Sequence, residues 1–171
     1  MHVYVTGFMG AGKSSVGRRL AELLGWPFVD MDTKIEEAMG DSVAEIFRQH
    51  GEEAFRRQER IVLRDLSDAE PAVVATGGGV MAESTNREWM LQRGLAVWLD
   101  VPLPILVERL QEEEPGTRPL FVDESQARDL YQRRLASYRD SDLRVEISSA
   151  QSASDIAESI RDMLKEKKCV T

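Results

Sequence analysis

The chain has 171 residues, 42% hydrophobic and 30% charged, which suits one soluble globular domain with a single core. Its formal net charge of −8 has the wrong sign for a general nucleic-acid binder, and no apolar stretch is long enough to span a bilayer. One cysteine, Cys169, excludes an intramolecular disulfide, and the start lacks the basic and apolar regions of a signal peptide, so the expected setting is a reducing one, the cytoplasm.

Val3-Tyr4-Val5-Thr6 reads as a short buried strand ending at Gly7. A glycine-rich turn runs through Gly12, and the spacing of Val16, Leu20, Leu23 and Leu24 predicts a helix from about Lys13 to Leu24, stopped by Gly25. A second strand, Pro27-Phe28-Val29, leads into Asp30-Met31-Asp32. Helical pattern returns over Thr33–Met39, with Gly40 as its stop. Ser42 is placed to cap a short helix, with Glu45 three residues on completing a capping box. Glu52 to about Leu66 reads as a longer, heavily charged helix, and Ala72-Val73-Val74-Ala75 as a third strand ending in Thr76-Gly77-Gly78-Gly79.

A helix beginning at Ser84 or Thr85 ends near Gly94, and Leu95-Ala96-Val97-Trp98-Leu99 is a fourth strand. The next helix covers Pro104 to about Gln111. The stretch 112–124 has no periodicity and holds Pro115, Gly116 and Pro119, which predicts a mobile loop. Gln126–Arg139 is helical, Arg144–Ser148 is a fifth strand, and a last helix starts near Ser154 with Ile156, Ile160, Met163 and Leu164 on one face. Strands alternating with helices predict an α/β protein, a three-layer α/β/α domain on a five-stranded parallel sheet covered on both faces. Ligands of such sheets bind at the C-terminal ends of the strands, so chemistry is expected just after Thr6, Val29 and Ala75. No internal repeat or interdomain linker divides the chain.

Gly7-Phe8-Met9-Gly10-Ala11-Gly12-Lys13-Ser14 fits the phosphate-loop pattern G-x-x-x-x-G-K-[ST] between a strand and a helix. Glycines let backbone N–H groups converge on phosphate oxygens, and the helix N-terminus adds partial positive charge. Lys13 is the expected bridge to the β- and γ-phosphates, and the Ser14 hydroxyl the expected Mg²⁺ ligand. The alternative is a strand-to-helix turn with a chance lysine. The loop implies a nucleoside triphosphate, not what accepts the phosphate. No N-K-x-D sequence is present, which disfavours a GTPase switch.

The constellation is more specific than any part. It comprises the loop FMGAGKSSVG over Phe8–Gly17, Phe28-Val29-Asp30-Met31-Asp32, Gly51-Glu52-Glu53-Ala54-Phe55-Arg56-Arg57-Gln58-Glu59, Thr76-Gly77-Gly78-Gly79 and Arg118-Pro119-Leu120. In order and spacing it resembles the shikimate kinase family, most strongly through Gly79. The resemblance implies the P-loop fold of the nucleoside monophosphate kinase type and ATP-dependent phosphorylation of the 3-hydroxyl of shikimate, in aromatic amino-acid biosynthesis. It also implies a substrate-binding helical segment at about 33–66 and a lid loop at about 112–124. The substrates implied are ATP and shikimate, with Mg²⁺, and the expected protein is a monomer with no nucleic-acid or membrane partner.

The resemblance implies the following roles. Gly10, Ala11, Gly12, Lys13, Ser14 and Ser15 hold the nucleotide phosphates, and Arg109 and Gln151 meet adenine. Asp30 belongs near the Mg²⁺ water shell. Asp32 receives the acceptor's hydroxyls and acts as general base, although its place before Thr33 also suits a helix cap. Arg56 grips the acceptor carboxylate through the planar edge of its guanidinium. Read alone, Glu52–Arg56 and Glu53–Arg57 are i,i+4 pairs on a solvated helix face, a reading that Arg57 keeps. Arg134 is the second carboxylate group, in Arg134-Leu135-Ala136-Ser137-Tyr138, with Arg133 as the neighbouring register.

Gly78 offers its backbone N–H to the acceptor, where the alternative is a tight turn. Arg118, in the lid, reaches the phosphates. Three glutamates, Glu112 to Glu114, precede it and would repel phosphate unless they point outward. Cys169 and His2 have no motif around them, and Trp26, Trp89 and Trp98 read as core or interface. The rival functions are a kinase for gluconate or a nucleoside monophosphate, and a nucleotide-binding regulatory module without catalysis.

Overall fold

The computed structural model describes residues 1–66, 70–114, 118–167 and 169–170. The elements are β1 (His2–Thr6), α1 (Lys13–Leu24), β2 (Phe28–Asp30), α2 (Met31–Met39), α3 (Val43–Leu66), β3 (Val73–Ala75), a 3-10 turn (Val80–Ala82), α4 (Ser84–Arg93), β4 (Gly94–Asp100), α5 (Leu103–Glu112), α6 (Glu124–Tyr138), β5 (Leu143–Glu146) and α7 (Ala153–Glu166). All strands pair in parallel, in the order β2-β3-β1-β4-β5.

Successive residues of a strand point to opposite faces. Val3, Tyr4 and Val5 are each fully buried, so both faces of β1 are covered, and the same holds for Val73-Val74 and Ala96-Val97. The fold is therefore the three-layer α/β/α sandwich expected from the alternation. α1 packs with α7 and against β3, and α4 packs on β4 and the 3-10 turn. Burying Leu20, Leu99, Leu106 and Leu164, all nearly inaccessible, contributes about 2 kcal/mol each.

Three local differences from the expectation have clear causes. The two helical segments around residue 50 form one element, α3, interrupted at Gly51, whose φ of 78° and ψ of 172° no helix contains. The Ser42 hydroxyl accepts the Glu45 N–H at 3.3 Å, but the Glu45 carboxylate turns to Arg48 and Gln49, so only half a capping box forms. The last helix begins one residue earlier than expected, behind a complete capping box between Ser152 and Asp155. The expected loop carries no helix or strand between Glu112 and Glu124 among the described residues. Pro115 and Gly116 lie outside those residues.

Candidate active site

β1 lies in the middle of the sheet, and the connection leaving it runs to β2 on one side while the connection leaving its neighbour β3 runs to β4 on the other. A crevice opens at such a point beyond the strands' C-terminal ends. The segments after β1, β2 and β3 meet there, in a cavity of about 410 Å³ lined by Gly10 to Val16, Asp30, Asp32, Thr76, Arg109, Glu113, Arg118 and Gln151, among others. Gly12 precedes α1 with φ 86° in the left-handed region, where a side chain would be strained. No side chain caps α1, so its first N–H groups face the cavity as free donors.

The Lys13 ammonium donates to the Phe8 carbonyl at 2.8 Å, which folds it back over the loop. Burial lowers its pKa to about 8, against the pull of the Asp32 carboxylate. Ser14 Oγ donates to Asp30 Oδ2 at 2.5 Å, and Asp30 Oδ1 accepts the Asp32 N–H at 3.1 Å. Asp30 is thus the cap of α2, and Asp32 lies inside its first turn. The two carboxylates reach the cavity from a strand-to-helix corner rather than from an extended segment. Asp30 combines the cap with a place in the cavity, whereas the cap expected at Asp32 is not made because α2 begins before it. The hydroxyl of Ser14 beside the Asp30 carboxylate is a hard-oxygen pair that suits Mg²⁺, an ion whose remaining positions go to water and phosphate.

A second, narrower cavity of about 70 Å³ adjoins the first. Met9, Val43, Phe47, Phe55, Pro119 and Leu120 supply its apolar walls, and Arg56, Glu59, Gly77 to Gly79 and Arg134 its polar ones. Asp32 and Arg118 line both cavities and stand at their junction. Burial raises the Asp32 pKa, Lys13 opposes the rise and Asp30 adds to it.

Arg56 Nη1 lies 3.0 Å from both oxygens of Glu59, and Nη2 lies 3.1 Å from Glu52. Burial works against the guanidinium's charge, but Glu59 and Glu52 outweigh it and raise its pKa. Burial also pushes the Glu59 carboxyl up, against the pull of Arg56. Sequence reasoning gave Glu59 no role. The i, i+3 spacing from Arg56 signalled a pair on the helix but not its burial in the cavity. Arg57 stays on the exposed face, 3.5 Å from Glu53.

The glycines after β3 are required by these neighbours. A Cβ at Gly77 would lie 2.6 Å from Glu59 Oε1, and one at Gly79 would lie 2.6 Å from Arg56 Nη1. Arg134 is buried against the same turn, whereas Arg133 is exposed. Burial lowers the pKa of Arg134, Tyr138 opposes this and Arg56 adds to it. Two guanidiniums therefore face one small space, a setting that an anionic group would complete.

Arg109 Nη1 donates to the Gly10 carbonyl at 3.1 Å, which steadies the loop from α5. Gln151 Oε1 accepts the Ser148 N–H at 2.8 Å and closes the turn after β5. Arg118 pairs with Glu113 at 2.9 Å, while Glu112 and Glu114 are exposed. Of these three adjacent glutamates, one thus faces the cavity with a cation on it. His2 is buried at the start of β1, Trp98 is core, and Trp26 and Trp89 are half-buried.

The family profile described as shikimate kinase matches residues 9–165 of the chain. A shikimate kinase from Synechococcus sp. (strain RCC307) is 44% identical over 167 residues, covering 95% of this chain and 84% of that protein. Shikimate kinase 3, chloroplastic, from Oryza sativa subsp. japonica is 43% identical over 155 residues, covering 85% of this chain and 54% of that protein, so the chain spans about half its length. The solved structure of a shikimate kinase from Acinetobacter baumannii in complex with shikimate superposes with a TM-score of 0.92 at 37% identity, covering 98% of this chain and 94% of that one.

Proposed function

The chain belongs to the shikimate kinase family, and from that premise we infer that its two adjoining cavities hold ATP and shikimate. It is a phosphotransferase that moves the γ-phosphoryl group of ATP to the 3-hydroxyl of shikimate, a step toward chorismate and the aromatic amino acids. The observation that carries the reading is the junction: Asp32 and Arg118 line both cavities, so one carboxylate and one guanidinium address both substrates.

The larger cavity takes the nucleotide. Residues 10–15 cradle its phosphates with backbone N–H groups and the Lys13 ammonium, while Arg109 and Gln151 lie toward adenine. Ser14, with Asp30 acting through water, would hold Mg²⁺, which when bound neutralises charge on the β- and γ-phosphate oxygens. The smaller cavity takes the acceptor. Its carboxylate lies between Arg56 and Arg134, its hydroxyls reach Asp32, and the Gly78 N–H supplies a further donor.

The 3-hydroxyl oxygen attacks the γ-phosphorus in line as the bond to the β-phosphate oxygen breaks. Asp32 takes the hydroxyl proton, and Arg118 and Lys13 meet the charge on the transferring group. Positioning and charge neutralisation carry most of the rate. Pro119 and Leu120 wall a space of only about 70 Å³, which supports reading 112–124 as a lid that moves to admit the acceptor and then excludes water. Because one chain lines both cavities, the reading extends to a monomer, acting in the cytoplasm.

Coupled release of ADP from Mg·ATP, with shikimate and with gluconate or AMP as control acceptors, tests the reading. Turnover that depends on shikimate is expected. Turnover with a control acceptor alone would discard the acceptor site, and nucleotide binding without turnover on any acceptor would favour a regulatory module.

A further inference from the structure

Tyr138, the last residue of α6, is fully buried, and its hydroxyl donates to the Gly78 carbonyl at 2.6 Å across 60 residues of chain. Its ring stacks on Trp98 of β4, with centroids 6.0 Å apart at 24°. The Arg134 guanidinium, one helical turn earlier, packs against the same glycine, since a Cβ at Gly78 would lie 3.3 Å from its Nη1, and it interacts electrostatically with the phenol. Burial pushes the phenol up to about 12, so it remains a protonated donor throughout the neutral range.

We propose that Tyr138 is a positioning residue for the acceptor, holding the Arg134 guanidinium and the Gly78–Gly79 peptide in one fixed relation. A trans peptide is planar, with its C=O and N–H pointing in opposite directions. Anchoring the Gly78 carbonyl on α6 therefore turns the Gly79 N–H away from α6, on the side where Gly79 borders the acceptor cavity. Among the described residues, no hydrogen bond within the chain engages that N–H. Arg134 and the Gly79 N–H then address one bound molecule from a geometry that a single hydroxyl sets. The proposal rests on the acceptor site assigned above.

The test is Tyr138→Phe, which removes only the hydroxyl, with Trp98→Phe as a control that perturbs the stacked ring and keeps the hydroxyl. Tyr138→Phe should raise the KM for shikimate about ten-fold, as expected for losing one well-placed hydrogen bond, and leave the KM for ATP within about two-fold. Trp98→Phe should lower Tm without separating the two KM values. An unchanged shikimate KM in Tyr138→Phe, or an equal rise in both KM values, overturns the proposal while the kinase reading stands. A wild-type chain with no shikimate-dependent turnover overturns the kinase reading and the proposal with it.

Should Tyr138→Phe not fold, the wild-type chain labelled with 3-fluorotyrosine decides. It has three tyrosines, so Tyr4→Phe and Tyr131→Phe assign the Tyr138 fluorine signal by elimination. Shikimate alone should move that signal and a non-hydrolysable ATP analogue should not. A signal indifferent to shikimate, or equally sensitive to both ligands, overturns the proposal.

Discussion

Arg56 reaches across one turn of α3 and sets Nη1 3.0 Å from each oxygen of Glu59, a carboxylate with no exposed surface. Arg56 itself keeps 14% of its side chain exposed, on the acceptor cavity. The buried partner fixes Nη1, while the edge carrying Nε and Nη2 meets Glu52, a carboxylate half exposed to solvent. The Arg56–Glu59 pair has energetic and functional consequences that different substitutions separate.

Arg56→Ala should raise the KM for the acceptor on the order of 100-fold, since a hydrogen-bonded charge contact of about 2–3 kcal/mol is lost. It should also destabilise the fold by about 3 kcal/mol, because Glu59 is left as an uncompensated buried charge. Adding Glu59→Gln to Arg56→Ala should recover most of the stability in urea unfolding and none of the acceptor KM. Recovery of both would show that Arg56 acts on the fold alone.

The Lys13 pKa of about 8 belongs to the substrate-free protein, so its effect is read in kcat/KM for ATP. A lowered base carries its charge below that value and loses it above. kcat/KM for ATP should therefore fall as pH rises through about 8. Lys13→Arg, a cation at every accessible pH, should lack that limb whatever its absolute rate. Lys13→Ala should cut turnover by on the order of 10²–10³ without lowering Tm, as it removes a buried charge.

Asp32 has its pKa raised by burial, so the ionised form is disfavoured in the fold. For such an acid, stability is greatest below the unfolded pKa and declines as pH rises through the folded one. Asp32→Asn should thus keep or raise Tm at neutral pH while kcat falls on the order of 10²–10⁴. The acid limb of the wild-type kcat/KM profile should lie above the ordinary carboxylate range and vanish in Asp32→Asn. A variant retaining wild-type kcat would remove Asp32 from the chemistry.

The Glu113–Arg118 pair is partly exposed, at 30% and 42% of the side chains, so solvent screens most of its strength. On the proposed reading it competes with phosphate for the same guanidinium. Glu113→Gln should lower the KM for ATP by up to about five-fold at low salt, corresponding to at most about 1 kcal/mol. The advantage should shrink as salt rises. A higher KM for ATP in Glu113→Gln would mean that Glu113 helps to orient Arg118 instead.

Much of this molecule is readable from its residues, for stated reasons. The phosphate loop is legible because backbone geometry forces its glycines and chemistry forces Lys13. Apolar runs such as Val73–Ala75 are legible because a strand covered on both faces needs no alternation. Glu59 was hidden because a helical Glu–Arg spacing looks the same whether it faces water or a cavity. The break at Gly51 was legible, because the longer helix was expected to begin at Glu52, whereas the close run-on of the two segments into α3 was not. Asp30 was placed in the cleft for one reason and is held there by another, its hydrogen bond to the Asp32 N–H. The direction of Glu113 among three adjacent glutamates depends on tertiary contact that no local pattern encodes.

The central strand has a kinetic consequence. β1 is made before either of its partners, for Val3 pairs with Val73 on one side and with Leu95 on the other. Its two edges therefore cannot both be satisfied until residues 94–98 have been synthesised. Long-range parallel pairing is slow, because loop closure costs entropy before contacts repay it. Val3–Val5 is for that interval an open apolar template for other chains. Refolding yield should accordingly fall as protein concentration rises, and the nascent chain should need shelter until β4 emerges.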